Sequence, residues 1–259
     1  MTGAKESYSE VVARLTAAQK SSVNAPAYSR WVNRPLGRRI AAAAYLRGLT
    51  PNQVTGISAV FTFSGIAALL LVPPTPLLGL AVSALLVAGY AFDSADGQLA
   101  RLRGGGSPLG EWLDHVVDSV KNTSIHLAVA VSWFRFEPDL GPLSAGSGDG
   151  VGWMLAVPVL YAVVSSTFFF AMTLTDQLRR QGKTARTVRP AGGSERAAVL
   201  PSLLTLPNDF GLLIVVYATF GVPPVFAVLY LALFAANTAF LAVGLRRWSR
   251  ELRQGVAPA

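Results

Sequence analysis

The sequence contains no cysteine and only two histidines among its 259 residues. The absence of cysteine excludes disulfide bonds and thiol chemistry, but it does not identify a compartment. Charged residues are also scarce, at 14%, whereas hydrophobic residues make up 52%. A soluble domain usually has about 25% charged residues. Residues 1–30 include several charged side chains and no apolar stretch, so we do not expect a secretory signal. The composition therefore indicates one membrane domain.

Six apolar stretches separate the charged segments of the chain. They cover approximately residues 54–72, 77–92, 123–133, 151–175, 197–220 and 222–245. A transmembrane helix needs about 20 residues, and the second and third stretches reach that length when they extend into the acidic segment between them. We therefore predict an all-α integral membrane protein with six transmembrane helices.

The remaining segments complete the predicted organisation. Residues 1–49 form a cytoplasmic extension, residues 50–248 form the six-helix membrane domain, and residues 249–259 form a cytoplasmic tail. Within the extension, residues 9–20 are modestly amphipathic and residues 34–47 are basic and rich in alanine. One or both could lie on the membrane surface, and the second is the predicted juxtamembrane helix.

The distribution of basic residues predicts the orientation. If the N-terminus is cytoplasmic, all but two of the 22 lysines and arginines belong to cytoplasmic segments. The exceptions are Arg135, in the outer loop, and Lys121, within the third helix. We expect both termini to face the cytoplasm, with the bacterial plasma membrane as the location. The basic residues flank membrane helices, so anionic lipid headgroups are the expected partners of the +8 net charge and nucleic acid is not.

Four aspartates stand at helical spacing near the cytoplasmic ends of predicted helices two and three. They are Asp93, Asp96, Asp114 and Asp118. At about 100° per residue, each pair shares one helical face, so two acidic stripes could face each other. Carboxylates in a low-dielectric setting are costly without a cation. Hard oxygen ligands without cysteine favour Mg²⁺, Mn²⁺ or Ca²⁺, and several carboxylates can hold two ions. In the alternative interpretation, the acids pair with Arg101 or Lys121 and support helix packing.

This segment resembles the signature of the CDP-alcohol phosphotransferase family. The signature consists of two acidic halves separated by eight residues, and every fixed position is present: Asp93, Asp96, Gly97, Ala100, Arg101, Gly110, Asp114 and Asp118. Residues 28–35 and 50–55 also resemble the segment that precedes the first membrane helix in members with inositol phosphate acceptors.

The resemblance implies a phospholipid-synthesising enzyme with cytoplasmic chemistry. It would transfer a phosphatidyl group from CDP-diacylglycerol to the hydroxyl of a polar alcohol and release CMP. The four aspartates would hold two Mg²⁺ or Mn²⁺ ions, with Asp118 also acting as general base. The CDP-binding residues implied by the resemblance are Asn52, Gly97, Ala100, Arg101 and Gly110. The resemblance also permits a homodimer.

The acceptor and donor are less sharply defined by the sequence. The basic segment 179–196 favours a phosphorylated acceptor, with Arg180 and Arg196 as the candidate phosphate ligands, although anchoring at the membrane surface is the alternative for each. A soluble CDP-inositol donor is an alternative to CDP-diacylglycerol. A hypothesis from a different class is a transporter of metal ions or polar solutes, which predicts acids near the bilayer centre.

Three further polar residues have two interpretations each. Lys121 is predicted to form an ion pair with Asp118, three residues before it, and the alternative is binding of an acceptor phosphate. Asp209 either lines a polar cavity or serves as a structural acid that backbone groups satisfy. Asn52 either caps the first membrane helix or contacts the nucleotide.

Overall fold

The computed structural model describes residues 6–19, 26–144, 151–182 and 209–255, and within these ranges the chain is helical with no β-strand. The helices, in chain order, are α1 (Tyr8–Ala17), α2 (Arg34–Leu46), α3 (Pro51–Leu71), α4 (Pro76–Leu102), α5 (Pro108–Phe136), α6 (Ala156–Gly182), α7 (Phe210–Tyr217) and α8 (Pro223–Gly255). A π-helical turn at Ser29–Asn33 leads into α2, and short 3₁₀ turns at Gly141–Ser144 and Gly152–Leu155 precede α6. The prediction of an all-α fold is confirmed.

Among the described residues, four helical segments are long and apolar enough to cross a membrane, which indicates a membrane protein. They are Pro51–Leu71, Pro76–Leu102, Gly152–Gln181 and Pro223–Gln254, which match the first, second, fourth and sixth predicted spans. Helix α5, at the third predicted span, has 29 residues but carries the second half of the acidic segment. Helix α7 covers the end of the fifth predicted span, and residues 197–208 lie outside the described ranges.

Polar N-cap residues, each followed by a proline, define the beginnings of α3, α4 and α5. The Thr50 hydroxyl accepts a hydrogen bond from the Gln53 amide at 3.3 Å, and the Gln53 side chain accepts one from the Thr50 amide at 2.9 Å. Thr75 and Ser107 cap α4 and α5, and each cap precedes a proline. Thr50 is therefore the cap of α3, and the interpretation of Asn52 as that cap is wrong.

A tight turn joins α4 to α5 and reverses the chain. Gly104 and Gly105 in this turn have φ values of +95° and +129°, which residues with a side chain rarely adopt. The end of α4 at Leu102 and the beginning of α5 at Pro108 are separated by five residues. As a result, both halves of the acidic segment lie at one end of the helical bundle.

The largest buried side chains lie toward the opposite end of α5. Trp133, Tyr217, Phe220 and Phe226 are each at most 1% exposed and pack between α5, α7 and α8. Fifteen residues of α-helix separate Asp118 from Trp133, or about 22 Å along the axis. The hydrophobic core thus anchors the bundle away from the acids.

The N-terminal helices pack against the acidic end of α4. Val11 and Leu15 of α1 are fully buried in a second apolar cluster that includes residues of α2 and Leu99 of α4. The Gln19 side-chain amide donates to Gln98 at 2.7 Å. The apolar face of α1 therefore packs inside the protein.

Candidate active site

Three of the four aspartates converge, one from α4 and two from α5. One carboxylate oxygen from each of Asp93, Asp114 and Asp118 lies within 4.8 Å of the other two. We call these three residues the carboxylate group. Asp93 comes from α4 and the other two come from α5, so the tight turn between the helices brings them together. Three mutually repelling oxygen ligands without a thiolate fit a hard divalent cation.

Asp96 lies on α4, as Asp93 does, but its side chain lies outside the carboxylate group. Its side chain is buried, and its Oδ2 accepts a hydrogen bond of 2.6 Å from the Thr55 hydroxyl on α3. Three residues of α-helix rotate a side chain by about 300°, so Asp96 diverges from Asp93 by about 60°. Asp96 falls outside the carboxylate group, and its role as a metal ligand stays a prediction.

Lys121 joins two of the three acids. Its side chain is only 6% exposed, and its Nζ forms ion pairs with Asp118 Oδ1 and, at 3.0 Å, with Asp93 Oδ1. The predicted ion pair with Asp118 is confirmed. The contact with Asp93 on the other helix has no signal in the linear sequence. The Phe210 ring, 5.6 Å away, covers the ammonium group.

Asn52 and Gly110 meet although 58 positions separate them in the chain. A Cβ atom added to Gly110 would lie 3.0 Å from Asn52 Oδ1, closer than an ordinary contact. The beginning of α3 therefore touches the first turn of α5, where glycine permits the approach. The structure brings these two predicted CDP-binding residues together.

A second surface, on α4, is formed by Gly97, Ala100 and Arg101. All three residues are partly exposed. A Cβ atom on Gly97 would lie 3.5 Å from Arg101 Nη1. The buried Nε of Arg101 has no hydrogen-bond partner among the residues that the structure describes. This bare surface with an available guanidinium suits a phosphate-bearing ligand.

A cavity of about 330 Å³ adjoins the carboxylate group. Asp93, Asp118 and Lys121 line it, together with residues of α6, α7 and α8. Its lining also contains neutral polar residues of α6 and α8, among them Tyr161 and Asn237. The Asn237 amide donates to the Tyr161 hydroxyl at 2.9 Å. The cavity can therefore accommodate a polar ligand beside the acids.

Asp209 combines both roles considered for it. It lines the cavity, and its carboxylate accepts backbone hydrogen bonds from Gly211 at 3.0 Å and from Ser29 at 3.2 Å. The first bond caps α7, and the second fastens the segment before α2 to α7. Asp209 is thus both a structural acid and part of the cavity wall.

The structure tests the acceptor-phosphate residues only in part. Arg180 Nη1 lies 2.5 Å from Glu111 Oε1 at the beginning of α5, and both side chains are exposed. This places Arg180 at the acidic end of the bundle. Arg196 lies outside the described residues. Binding of an acceptor phosphate by these arginines stays a prediction.

Comparison with known families decides the class of protein. The model of the CDP-alcohol phosphatidyltransferase family matches residues 48–189, more than half of the chain. The chain belongs to the CDP-alcohol phosphatidyltransferase family. Its members are transferases, so the protein is an enzyme of that class, and the resemblance predicted from the acidic segment is confirmed.

A curated relative of this CDP-alcohol phosphatidyltransferase is the phosphatidylinositol phosphate synthase of Corynebacterium glutamicum. The two sequences are 41% identical over 86 residues. The match spans 33% of this chain and 36% of the relative, so it covers about a third of each protein.

Two solved structures share the fold of this CDP-alcohol phosphatidyltransferase. Both are crystal structures of the Mycobacterium tuberculosis phosphatidylinositol phosphate synthase PgsA1. The one with CDP-DAG bound has a TM-score of 0.50 and 20% identity over 84% of this chain and 93% of that chain. The one in complex with manganese and citrate has a TM-score of 0.54 and 18% identity over 84% and 88%. At these identities the likeness establishes the fold.

Proposed function

We propose that this enzyme transfers the phosphatidyl group of CDP-diacylglycerol to the hydroxyl of a polar, phosphorylated alcohol, releasing CMP in phospholipid synthesis. The observation that carries the proposal is the convergence of Asp93, Asp114 and Asp118 beside a polar cavity. Membership of the family supports the reaction class. The relatives' names, together with the CDP-DAG bound to one of them, support the donor.

The carboxylate group would hold divalent metal, and Asp96 is proposed as a fourth ligand. Oxygen-only ligands fit Mg²⁺ or Mn²⁺, and manganese in one structural relative supports this assignment. When bound, two such ions would polarise the diphosphate of the donor as Lewis acids.

The chain's own residues would perform the proton transfer and hold the substrates. Asp118 would take the proton from the acceptor hydroxyl, whose oxygen attacks the phosphorus that carries diacylglycerol. The bond from that phosphorus to the bridging oxygen breaks, and CMP leaves with this oxygen. Arg101 would offset the charge of the leaving phosphate. The surface that would receive the nucleotide is formed by Asn52, Gly97, Ala100 and Gly110.

The acceptor phosphate would bind at the same end of the bundle. Arg180 is exposed beside the first turn of α5, and among the described residues it forms an ion pair with Glu111. A phosphate dianion could replace this surface carboxylate, because exposed ion pairs contribute little. Arg196 is proposed as the second ligand from its place in the sequence.

The proposed topology has six transmembrane helices with the carboxylate group at the cytoplasmic side of the bacterial plasma membrane. Besides the four apolar segments, α5 has 29 residues, enough to span about 30 Å of hydrocarbon. Helix α7 would end the fifth span, and α2 would lie at the membrane surface as the juxtamembrane helix. The extension, membrane domain and tail would occupy residues 1–49, 50–248 and 249–259. A homodimer is compatible with this arrangement.

Product analysis tests the proposed reaction. Purified protein is incubated with labelled CDP-diacylglycerol, Mg²⁺ or Mn²⁺ and a panel of polyol phosphates. We expect CMP release and one new phospholipid, identified by its mass, and we expect neither with the variant Asp118→Asn. If no lipid forms from any lipid donor but a soluble CDP-inositol donor yields a phosphodiester, the proposed donor is wrong.

A further inference from the structure

Lys121 is the one buried lysine among the described residues, and it lies between acids of two helices. It belongs to α5, three residues after Asp118, yet its Nζ also reaches Asp93 on α4. The motif of the family contains no lysine and ends at Asp118, so Lys121 lies outside it. Lys121 therefore adds a basic side chain to the carboxylate group from outside the motif.

The two acids need this charge when no other cation is present. Asp93 and Asp118 are each about one-fifth exposed, so water screens their mutual repulsion poorly. Removing one partner from a buried ion pair leaves uncompensated charge, which is strongly destabilising. Lys121 consequently bridges the acids of α4 and α5 and offsets their repulsion.

A divalent ion would bind the same carboxylates, but Lys121 can keep its contacts with them when the ion binds. The ammonium contacts Oδ1 of both acids, and a carboxylate has a second oxygen that can bind an ion. The ammonium and the ion would then be positive charges within a few ångströms of each other. Their repulsion lowers the affinity for the ion.

We infer that Lys121 is a positioning residue that acts as an internal counterion: it keeps the carboxylate group assembled without metal and weakens the binding of metal. The inference rests on the metal site of the proposed function. It predicts a site that remains folded while divalent ions exchange, which suits an enzyme whose substrate and product carry phosphate groups that also bind these ions.

The test compares Lys121→Gln and Lys121→Met with Lys121→Arg. For each purified variant, Mn²⁺ affinity is measured from the electron paramagnetic resonance signal of free Mn²⁺, and thermal unfolding is followed with EDTA and with Mn²⁺. The neutral variants should bind Mn²⁺ about tenfold more tightly, because a nearby like charge is gone. They should also melt lower than wild type in EDTA and gain more from Mn²⁺. Lys121→Arg should resemble wild type in both measurements.

Thr123→Val is the matched control on the same helix. Its hydroxyl lies 2.7 Å from Ser166 Oγ and outside the carboxylate group, so this variant should keep the Mn²⁺ affinity of wild type. Lys121→Gln retains a hydrogen-bond donor and can be prepared in Mn²⁺ if Lys121→Met does not fold. Unchanged or weaker Mn²⁺ binding in the neutral variants overturns the inference.

Wild type and Asp114→Asn separate this inference from the proposed function. Wild-type protein should bind Mn²⁺, and Asp114→Asn should lose that binding. Failure of wild type to bind Mn²⁺ overturns the metal site itself and the inference with it. Normal binding by wild type with unaltered affinity in Lys121→Gln overturns the inference alone.

Discussion

Gly97 and Arg101 lie one turn apart on α4, where the absence of a side chain leaves space beside the guanidinium. A Cβ atom on Gly97 would make only an ordinary contact of 3.5 Å with Arg101 Nη1. Packing therefore does not require glycine at this position. Glycine inside a helix costs about 0.5–1 kcal/mol relative to alanine. The fold bears that cost at a surface where we expect the nucleotide to lie.

The variant Gly97→Ala should stabilise the protein and impair donor binding. Helix propensity should raise the free energy of unfolding by about 0.5–1 kcal/mol. The added methyl group should raise KM for CDP-diacylglycerol, because it occupies the proposed nucleotide surface. Thermal unfolding and initial rates at varied donor concentration measure the two effects.

Gly56→Ala provides the control for this prediction. Gly56 lies on α3, and no atom lies within 4 Å of a Cβ atom added there. This variant should show the same gain in stability with an unchanged KM. An unchanged KM in Gly97→Ala would contradict the assignment of Gly97 to the CDP site.

The acidic residues show how far spacing alone predicts a site. Intervals of four residues correctly predict that Asp114 and Asp118 share one face of α5, and the interval of three residues correctly predicts that Lys121 pairs with Asp118. They do not predict that Asp96 turns to Thr55. That contact depends on how α4 is rotated against α3, and linear spacing contains no information about this rotation.

At the scale of helices, α3 and α4 approach closely where Gly89 faces Ser58 and Thr62. The Ser58 hydroxyl donates to the Gly89 carbonyl at 2.8 Å. A Cβ atom on Gly89 would lie 3.2 Å from the Ser58 carbonyl oxygen and 3.2 Å from the Thr62 amide nitrogen. Backbone atoms cannot rotate away as side chains can, so a larger residue must push the helices apart.

The variant Gly89→Ala should therefore destabilise the protein by about 1–3 kcal/mol, the usual cost of overpacking. Thermal unfolding in detergent measures this change. Gly65→Ala, on α3, is the control, since its Cβ atom would first meet Leu85 at an ordinary 3.5 Å. Equal melting temperatures for the two variants would show that the contact at Gly89 does not limit helix separation.

Sequence patterns predict most helices well and the partner of α1 poorly. Apolar length predicts the long helices, whereas the capping residues Thr50, Thr75 and Ser107 become evident only in the structure. The amphipathic pattern of α1 suits a membrane surface and a protein surface equally. Only the tertiary structure shows that Val11 and Leu15 pack inside the protein.

At the scale of the whole molecule, the acids lie at one end of the bundle and the aromatic core lies toward the other. A transporter site near the bilayer centre would have a different arrangement. We propose that the acidic side is the cytoplasmic side, because the positive-inside rule assigns segments rich in lysine and arginine to that side of the membrane. An experiment that determines the orientation of the protein therefore also determines on which side of the membrane the reaction takes place.

Single-cysteine labelling should determine the orientation in the membrane, because the chain has no native cysteine. Gly106→Cys, in the exposed turn between α4 and α5, should react with a membrane-impermeant maleimide only in inside-out vesicles. Asp139→Cys, beyond the other end of α5, should react only in right-side-out vesicles or intact cells. Both positions are exposed. The reverse pattern would contradict the proposed orientation.

The carboxylate group and its lysine come entirely from residues 93–121, on two consecutive helices joined by one turn. The helices that enclose the cavity, α6, α7 and α8, follow later in the chain. Since a protein emerges from the ribosome N-terminus first, the reactive centre can assemble in the nascent polypeptide before its enclosing walls are synthesised. During biosynthesis, α6, α7 and α8 would then form the cavity walls around a carboxylate group that is already assembled.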